Sequence, residues 1–116
     1  MSNRTVLHGI GVSAGTASGP IAVVTPAVGI DEHEPASTDP TADSERIRTV
    51  LNDVAASLSA RAEHANSDSA KAVLDATAGL ATDKGLIRGI DKELKKGTGP
   101  TKAIHDAVEL YANKLR

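Results

Sequence analysis

Four histidines, His8, His33, His64 and His105, are the residues best suited to proton transfer or covalent catalysis. Nucleophilic catalysis needs an imidazole held between a hydroxyl or thiol and a carboxylate. None of the four has such partners at a useful spacing. His105 precedes Asp106, but neighbours on a helix point about 100° apart. All four therefore read as surface or structural residues. Asp31-Glu32-His33-Glu34 has the residue types for a hard or borderline cation. It lies among Pro26, Pro35 and Pro40 and the further acids Asp39 and Asp43, which makes it a solvated linker instead. Gly9, Gly11, Gly15 and Gly19 do not follow the spacing of a dinucleotide or phosphate loop, and no helix follows them. They read as tight turns and close backbone packing.

The remaining pattern is helical. The short apolar run Pro20-Ile21-Ala22-Val23-Val24 is a β candidate. After the acidic linker, Asp43 or Ser44 caps a helix whose apolar stripe is Ile47, Val50, Leu51, Val54, Ala55, Leu58 and Ala62. Asn66-Ser67-Asp68-Ser69 ends it and caps the next helix. Residues 68–94 then read as two short helices with a break. Val73, Ala76, Thr77 and Leu80 share one face, and Leu86, Ile87, Ile90 and Leu94 another. Thr82 and Asp83 are N-cap types, and Gly85 disfavours an unbroken helix. Lys95-Lys96-Gly97-Thr98-Gly99-Pro100 is a stop-and-start signal. The last helix carries Ala103, Ile104, Ala107, Val108, Tyr111 and Leu115 on one face. Short connections favour antiparallel neighbours, so a helical bundle is expected. A broken helix also offers a shelf on which a second protein can sit.

Composition narrows the function classes. The 116 residues carry a net charge of −2 and no cysteine. That disfavours a general nucleic-acid or anionic-membrane surface and excludes disulfides and thiolate metal sites. No apolar run approaches the ~20 residues that span a bilayer, and the first residues lack a signal-peptide core; a cytoplasmic protein is expected. Phe and Trp are absent and Tyr111 is the single tyrosine. The core must be thin, which points to association with further protein.

LHGIGVSAGTASGPIAVV resembles the N-terminal signature of enzyme I of the phosphoenolpyruvate:sugar phosphotransferase system. Gly9, Ser13, Gly15, Ala17 and Gly19 match its pattern, with Ala14 where proline is usual. AVLDATAGLATDKGLIRGI resembles the family's two short helices around an acidic break, and AIHDAVELYANKL the helix that follows. Enzyme I moves a phosphoryl group from phosphoenolpyruvate, through its own histidine, to the phosphocarrier protein HPr. The resemblance implies a mainly α fold, an antiparallel HPr-binding bundle, with a short N-terminal β segment belonging to an α/β phosphohistidine domain. It places residues 1–30 in that strand segment and 31–116 in the helical subdomain, with its fourth helix missing.

The phosphohistidine motif and the phosphoenolpyruvate- and Mg²⁺-binding domain have no counterpart here. The resemblance therefore implies an HPr-docking module that is not catalytic by itself, needs no cofactor, and reaches phosphoenolpyruvate and Mg²⁺ only through the larger enzyme. The family's contacts fall on Asp68, Ala72, Asp75, Thr77, Gly79, Leu80 and Asp83, with Leu115 on the last helix. Ala72, Thr77, Gly79 and Leu80 are expected to form a shallow apolar groove. Asp68, Asp75 and Asp83 are expected to face basic groups on HPr. Lys84 and Gly85 stand where relatives carry glutamates. Self-association through uncovered apolar surface is a further expectation. Two alternatives remain: docking to a different carrier in a related multidomain phosphotransferase, and a plain helical interaction domain.

Overall fold

The computed structural model describes residues 3–116. Four α-helices make up the folded part: α1 (Pro40–Glu63), α2 (Asp68–Ala81), α3 (Lys84–Lys95) and α4 (Pro100–Leu115). They form three rods. α2 runs back along the C-terminal half of α1. α3 continues that direction along the N-terminal half, where Arg48 Nη2 meets Asp91 Oδ2 at 2.7 Å and Ser44 also bonds Asp91. α4 turns back along α3 and so runs parallel to α1. The middle rod, α2 and α3, is broken at Thr82-Asp83.

Local chemistry sets each boundary. Asp39 caps α1 by accepting the Ala42 N–H at 3.0 Å, with Pro40 in the first turn. The helix therefore starts earlier than a cap at Asp43 or Ser44 would allow, because Asp-Pro is itself a start signal. Ser67 caps α2 through the Ala70 N–H at 3.1 Å. Asp83 caps α3, accepting from Gly85 N at 2.7 Å and Leu86 N at 3.1 Å. α3 ends in a Schellman turn: Gly97 N bonds Leu94 O and Thr98 N bonds Glu93 O, with Gly97 at φ 87°. That left-handed conformation is why glycine stands there.

Gly99 gives α4 no side-chain cap. Glu34 supplies one from the linker, accepting Thr101 N at 2.9 Å, Thr101 Oγ1 at 2.8 Å and Lys102 N at 3.3 Å. The expected solvated linker is thus a docked strap over this stretch. Asp31 Oδ1 accepts the His33 N–H at 2.9 Å, and Ser37 Oγ donates to Asp43 Oδ2 at 2.6 Å.

The core is small and joins α1, α3 and α4. Ile90 and Leu94 are fully buried against Ala103 and Ala107, with Ile47 and Leu86 beside them. Alanines on α4 let the helices approach closely: a Cβ at Gly89 would sit 3.5 Å from the Ala107 Cβ. A separate contact, with Ala62 and Ala78 buried, holds α2 on α1.

The N-terminal β segment is not found. Residues 3–29 are exposed and contain no strand; Ile21, Val23 and Val24 are 81–92% exposed. A strand persists only when a neighbour takes its ladder hydrogen bonds, and no second extended segment lies beside this one among the described residues. This extended segment accounts for a radius of gyration of 19.8 Å, against about 13 Å for a compact chain of 100 residues. Residues 1 and 2 of the expected strand segment lie outside the described residues.

Candidate functional site

The break in the middle rod opens into an apolar groove of about 340 Å³. Its floor is the end of α2 and the start of α3, and α1 and α4 form its walls. Thr77, Leu80 and Ala81 come from α2, Leu86 from α3, and Tyr111 and Leu115 from α4. Leu80 is 47% exposed and Leu115 70% exposed. The Thr77 hydroxyl donates to Val73 O at 2.7 Å, so it is satisfied on its own helix. Nothing in the bundle covers Leu80 and Leu115, because α1 and α4 are held apart by the middle rod.

Asp83 stands at the break. Its carboxyl is held below the usual carboxylate range, chiefly by the Leu86 N–H, then by the Tyr111 hydroxyl and the Gly85 N–H. The Asp83 carboxylate in turn raises the Tyr111 phenol. Gly85 is needed where these groups crowd: a Cβ there would lie 2.9 Å from Asp83 Oδ1 and 3.4 Å from the Tyr111 ring. The break is therefore a fixed corner joined to α4, with a committed carboxylate.

The residues expected to form one docking site divide between two faces of α2. Thr77 and Leu80 face the groove, and Leu115 meets them from α4. Asp68, Ala72, Asp75 and Gly79 recur at i, i+4, i+7 and i+11 and share the opposite, solvent-facing side. Ala72 and Gly79 therefore do not join the groove, and nothing lies within 4 Å of a Cβ built on Gly79. Asp75 Oδ2 pairs with Lys71 Nζ on its own helix at 2.9 Å. Asp68 occupies the first turn of α2, where a carboxylate complements the helix dipole.

Sequence reading missed the second half of the groove. Leu86 and Tyr111 were legible as core positions of separate helices. That their outer edges open beside Leu80 follows only from the crossing of α4 with the break. Tyr111 next to Gly85 was the available signal, since a large residue often fits where a glycine makes room.

The remaining polar groups have structural work. A cleft of about 410 Å³ between α1 and α3 is lined by Ser44, Arg48, Asp91 and Lys95, and Ser44, Arg48 and Asp91 bond one another. His64 Nδ1 lies 2.9 Å from Ala60 O. His105 Nδ1 lies 3.3 Å from Asp106 Oδ1; the two side chains bend toward each other despite leaving the helix in different directions. Among the described residues no three His, Asp or Glu side chains converge as metal ligands do. No helix among the described residues is long and apolar enough to cross a membrane.

The family described as "PEP-utilising enzyme, N-terminal" matches residues 8–116 of this chain. The phosphoenolpyruvate-protein phosphotransferase of Streptomyces coelicolor is 35% identical over 112 residues, which is 93% of this chain and 19% of that protein. The chain thus spans about one fifth of the length of the curated relative it matches. No solved structure matches it.

Proposed function

Given that this chain belongs to the PEP-utilising enzyme N-terminal family, we propose that it is the module with which a phosphoenolpyruvate-protein phosphotransferase docks HPr. The observation that carries this reading is the groove itself. Leu80 and Leu115 come from different helices and stand 47% and 70% exposed over a lining that is almost wholly apolar. Exposed leucines converging on a concave site are the usual form of a protein-binding anchor point.

The chain contributes binding, not bond-breaking. The phosphoryl-carrying histidine and the phosphoenolpyruvate and Mg²⁺ sites belong to other parts of the enzyme. The groove holds the carrier while its histidine is presented to the phosphohistidine domain. Asp68 lies at the far end of α2, about 18 Å from Leu80 at 1.5 Å per residue. Its charge acts on the approach of HPr more than on the docked contact. A groove with few anchors fits a complex that dissociates after each transfer.

The test is an NMR titration of ¹⁵N-labelled HPr from the same genome with this chain. Chemical-shift changes grouped around the HPr active histidine, and abolished by Leu80→Asp, are expected. Leu80 is half exposed, so the variant keeps its fold. Absence of shifts with the wild-type chain, or shifts that Leu80→Asp leaves intact, overturns the reading.

A further inference from the structure

We propose that the outer side of α1 pairs with α1 of a second copy of this chain, antiparallel and with its twofold axis at Ser57. Val50, Asp53, Val54, Ser57, Leu58 and Arg61 line a shallow hollow on α1 to which no other element contributes. They recur at i, i+3, i+4, i+7, i+8 and i+11, so they share one side of the helix. Val50 is 58% exposed and Val54 44% exposed. Of the six, only Val54 and Leu58 also reach the groove at the break. Val50, Asp53, Ser57 and Arg61 lie outside it.

The charges on this side lack partners within the chain. Asp53 and Arg61 are both exposed. Among the described residues neither has an opposite charge within salt-bridge distance. They stand about 12 Å apart along the helix axis, so they do not pair with each other. Arg61 lies in the last turn of α1, where the dipole suits a cation. Asp53 lies mid-helix, where aspartate is a poor helix former and the dipole gives it no support.

A second copy supplies both partners at once. Asp53 and Arg61 stand at i−4 and i+4 from Ser57. A twofold axis across the helix at Ser57 therefore sets the Asp53 of each copy level with the Arg61 of the other. The two residues lie about 40° to either side of Ser57, and the long arginine stem crosses that gap. A twofold axis along the helix would instead set Asp53 beside Asp53 and Arg61 beside Arg61, which like-charge repulsion disfavours. Antiparallel helices also oppose their dipoles. Ser57 is small and lets the backbones close at the crossing, with Val50 and Val54 flanking it. Residues 51–63 of each copy overlap in this register, roughly four turns. A seam of that extent falls at the low end of specific interfaces, so the dimer is weak and reversible. A nucleic acid or an anionic bilayer meets one acid beside one base here and gains no charge advantage.

The test is sedimentation equilibrium of the wild-type chain, of Asp53→Arg and of Arg61→Asp, at low and high salt. Each single reversal sets like charges level on both sides of the axis. It is expected to weaken dimerisation about ten-fold at low salt and less at high salt. Both positions are exposed, so far-UV circular dichroism is expected to be unchanged. An equimolar mixture of the two variants is expected to recover wild-type association, because in a mixed pair each substituted side chain meets its opposite. A mixture no better associated than its components overturns the pairing. So does association that both variants leave unchanged, or a wild-type chain that stays monomeric at millimolar concentration. Loss of HPr binding by Arg61→Asp, from a chain that stays monomeric, assigns the hollow to HPr and also overturns the pairing. The sedimentation samples contain no HPr, so failure there leaves the groove reading standing.

Discussion

The Glu34 carboxylate takes both the backbone N–H and the hydroxyl of Thr101, at 2.9 and 2.8 Å, across 67 residues of sequence. It occupies the position that a helix normally fills with its own capping side chain. Gly99 makes room for it: a Cβ there would lie 2.6 Å from Glu34 Oε2 and 2.9 Å from the Pro35 carbonyl. The chain between the exposed N-terminal segment and α1 is thereby fastened to α4. Glu34→Ala is expected to cost about 1 kcal/mol, the usual price of a lost cap. Gly99→Ala is expected to cost a similar amount by pushing the strap away. Urea unfolding followed by circular dichroism measures both, and hydrogen exchange at Thr101 and Lys102 reports whether the strap has lifted.

Asp83 and Tyr111 give stability a pH dependence with two limbs. The folded Asp83 carboxyl titrates lower than in the unfolded chain. Its contribution is therefore complete above about pH 4 and lost as pH falls through the folded value. The folded Tyr111 phenol titrates higher, so its contribution is complete below about pH 10 and lost as pH rises through the folded value. Each of the two groups shifts the other. Tyr111→Phe is expected to shrink the alkaline limb, leaving the part due to Lys102, whose ammonium Asp106 holds above its usual range, and to soften the acid limb in a plot of thermal midpoint against pH. An acid limb that Tyr111→Phe leaves unaltered would separate the two residues.

Core and groove leucines are expected to respond oppositely to truncation. Leu94 is fully buried, and Leu94→Ala is expected to cost about 2–5 kcal/mol. That is a large part of the roughly 5–15 kcal/mol of a typical domain. Leu80→Ala is expected to cost about 0.5 kcal/mol, as for a surface position, while weakening HPr binding. Denaturant midpoints and titration affinities, measured on the same two variants, test the assignment.

Uncovered surface predicts self-association. The chain exposes 9650 Å², where a compact protein of its 11.9 kDa mass exposes about 6,000 Å². Val50 and Val54 on α1 and Val108 and Leu115 on α4 are each more than 40% exposed. Sedimentation velocity is expected to show dimers or larger species as concentration rises. A single monomer boundary up to millimolar concentration would count against it.

The helices were legible in the sequence because each carries its own periodic stripe and its own punctuation: Ser67, Asp83, Gly97 and Pro100. The start of α1 was misplaced because Asp39-Pro40 read as linker chemistry, although the same dipeptide starts helices. The strand at residues 20–24 was legible only as a propensity, and a strand's existence depends on a neighbour that a linear pattern does not specify. For the groove, resemblance named three residues that the structure brings together, Thr77, Leu80 and Leu115. It did not separate the two faces of that helix, so Thr77 and Leu80 were grouped with Ala72 and Gly79. Glu34 was hidden for a different reason. Its partners lie 67 and 68 residues away, and nothing local marks a carboxylate as the cap of a distant helix.

Tyr111 is the chain's single tyrosine, and no tryptophan accompanies it. Every near-ultraviolet signal of this protein therefore arises at the wall of the groove, from a phenol whose titration Asp83 shifts. A nearby carboxylate shifts phenol absorbance and quenches its emission, so anything that enters the groove and changes the surroundings of the phenol writes its arrival into the spectrum. The protein carries a built-in optical probe at its proposed binding site, and occupancy is readable without a label.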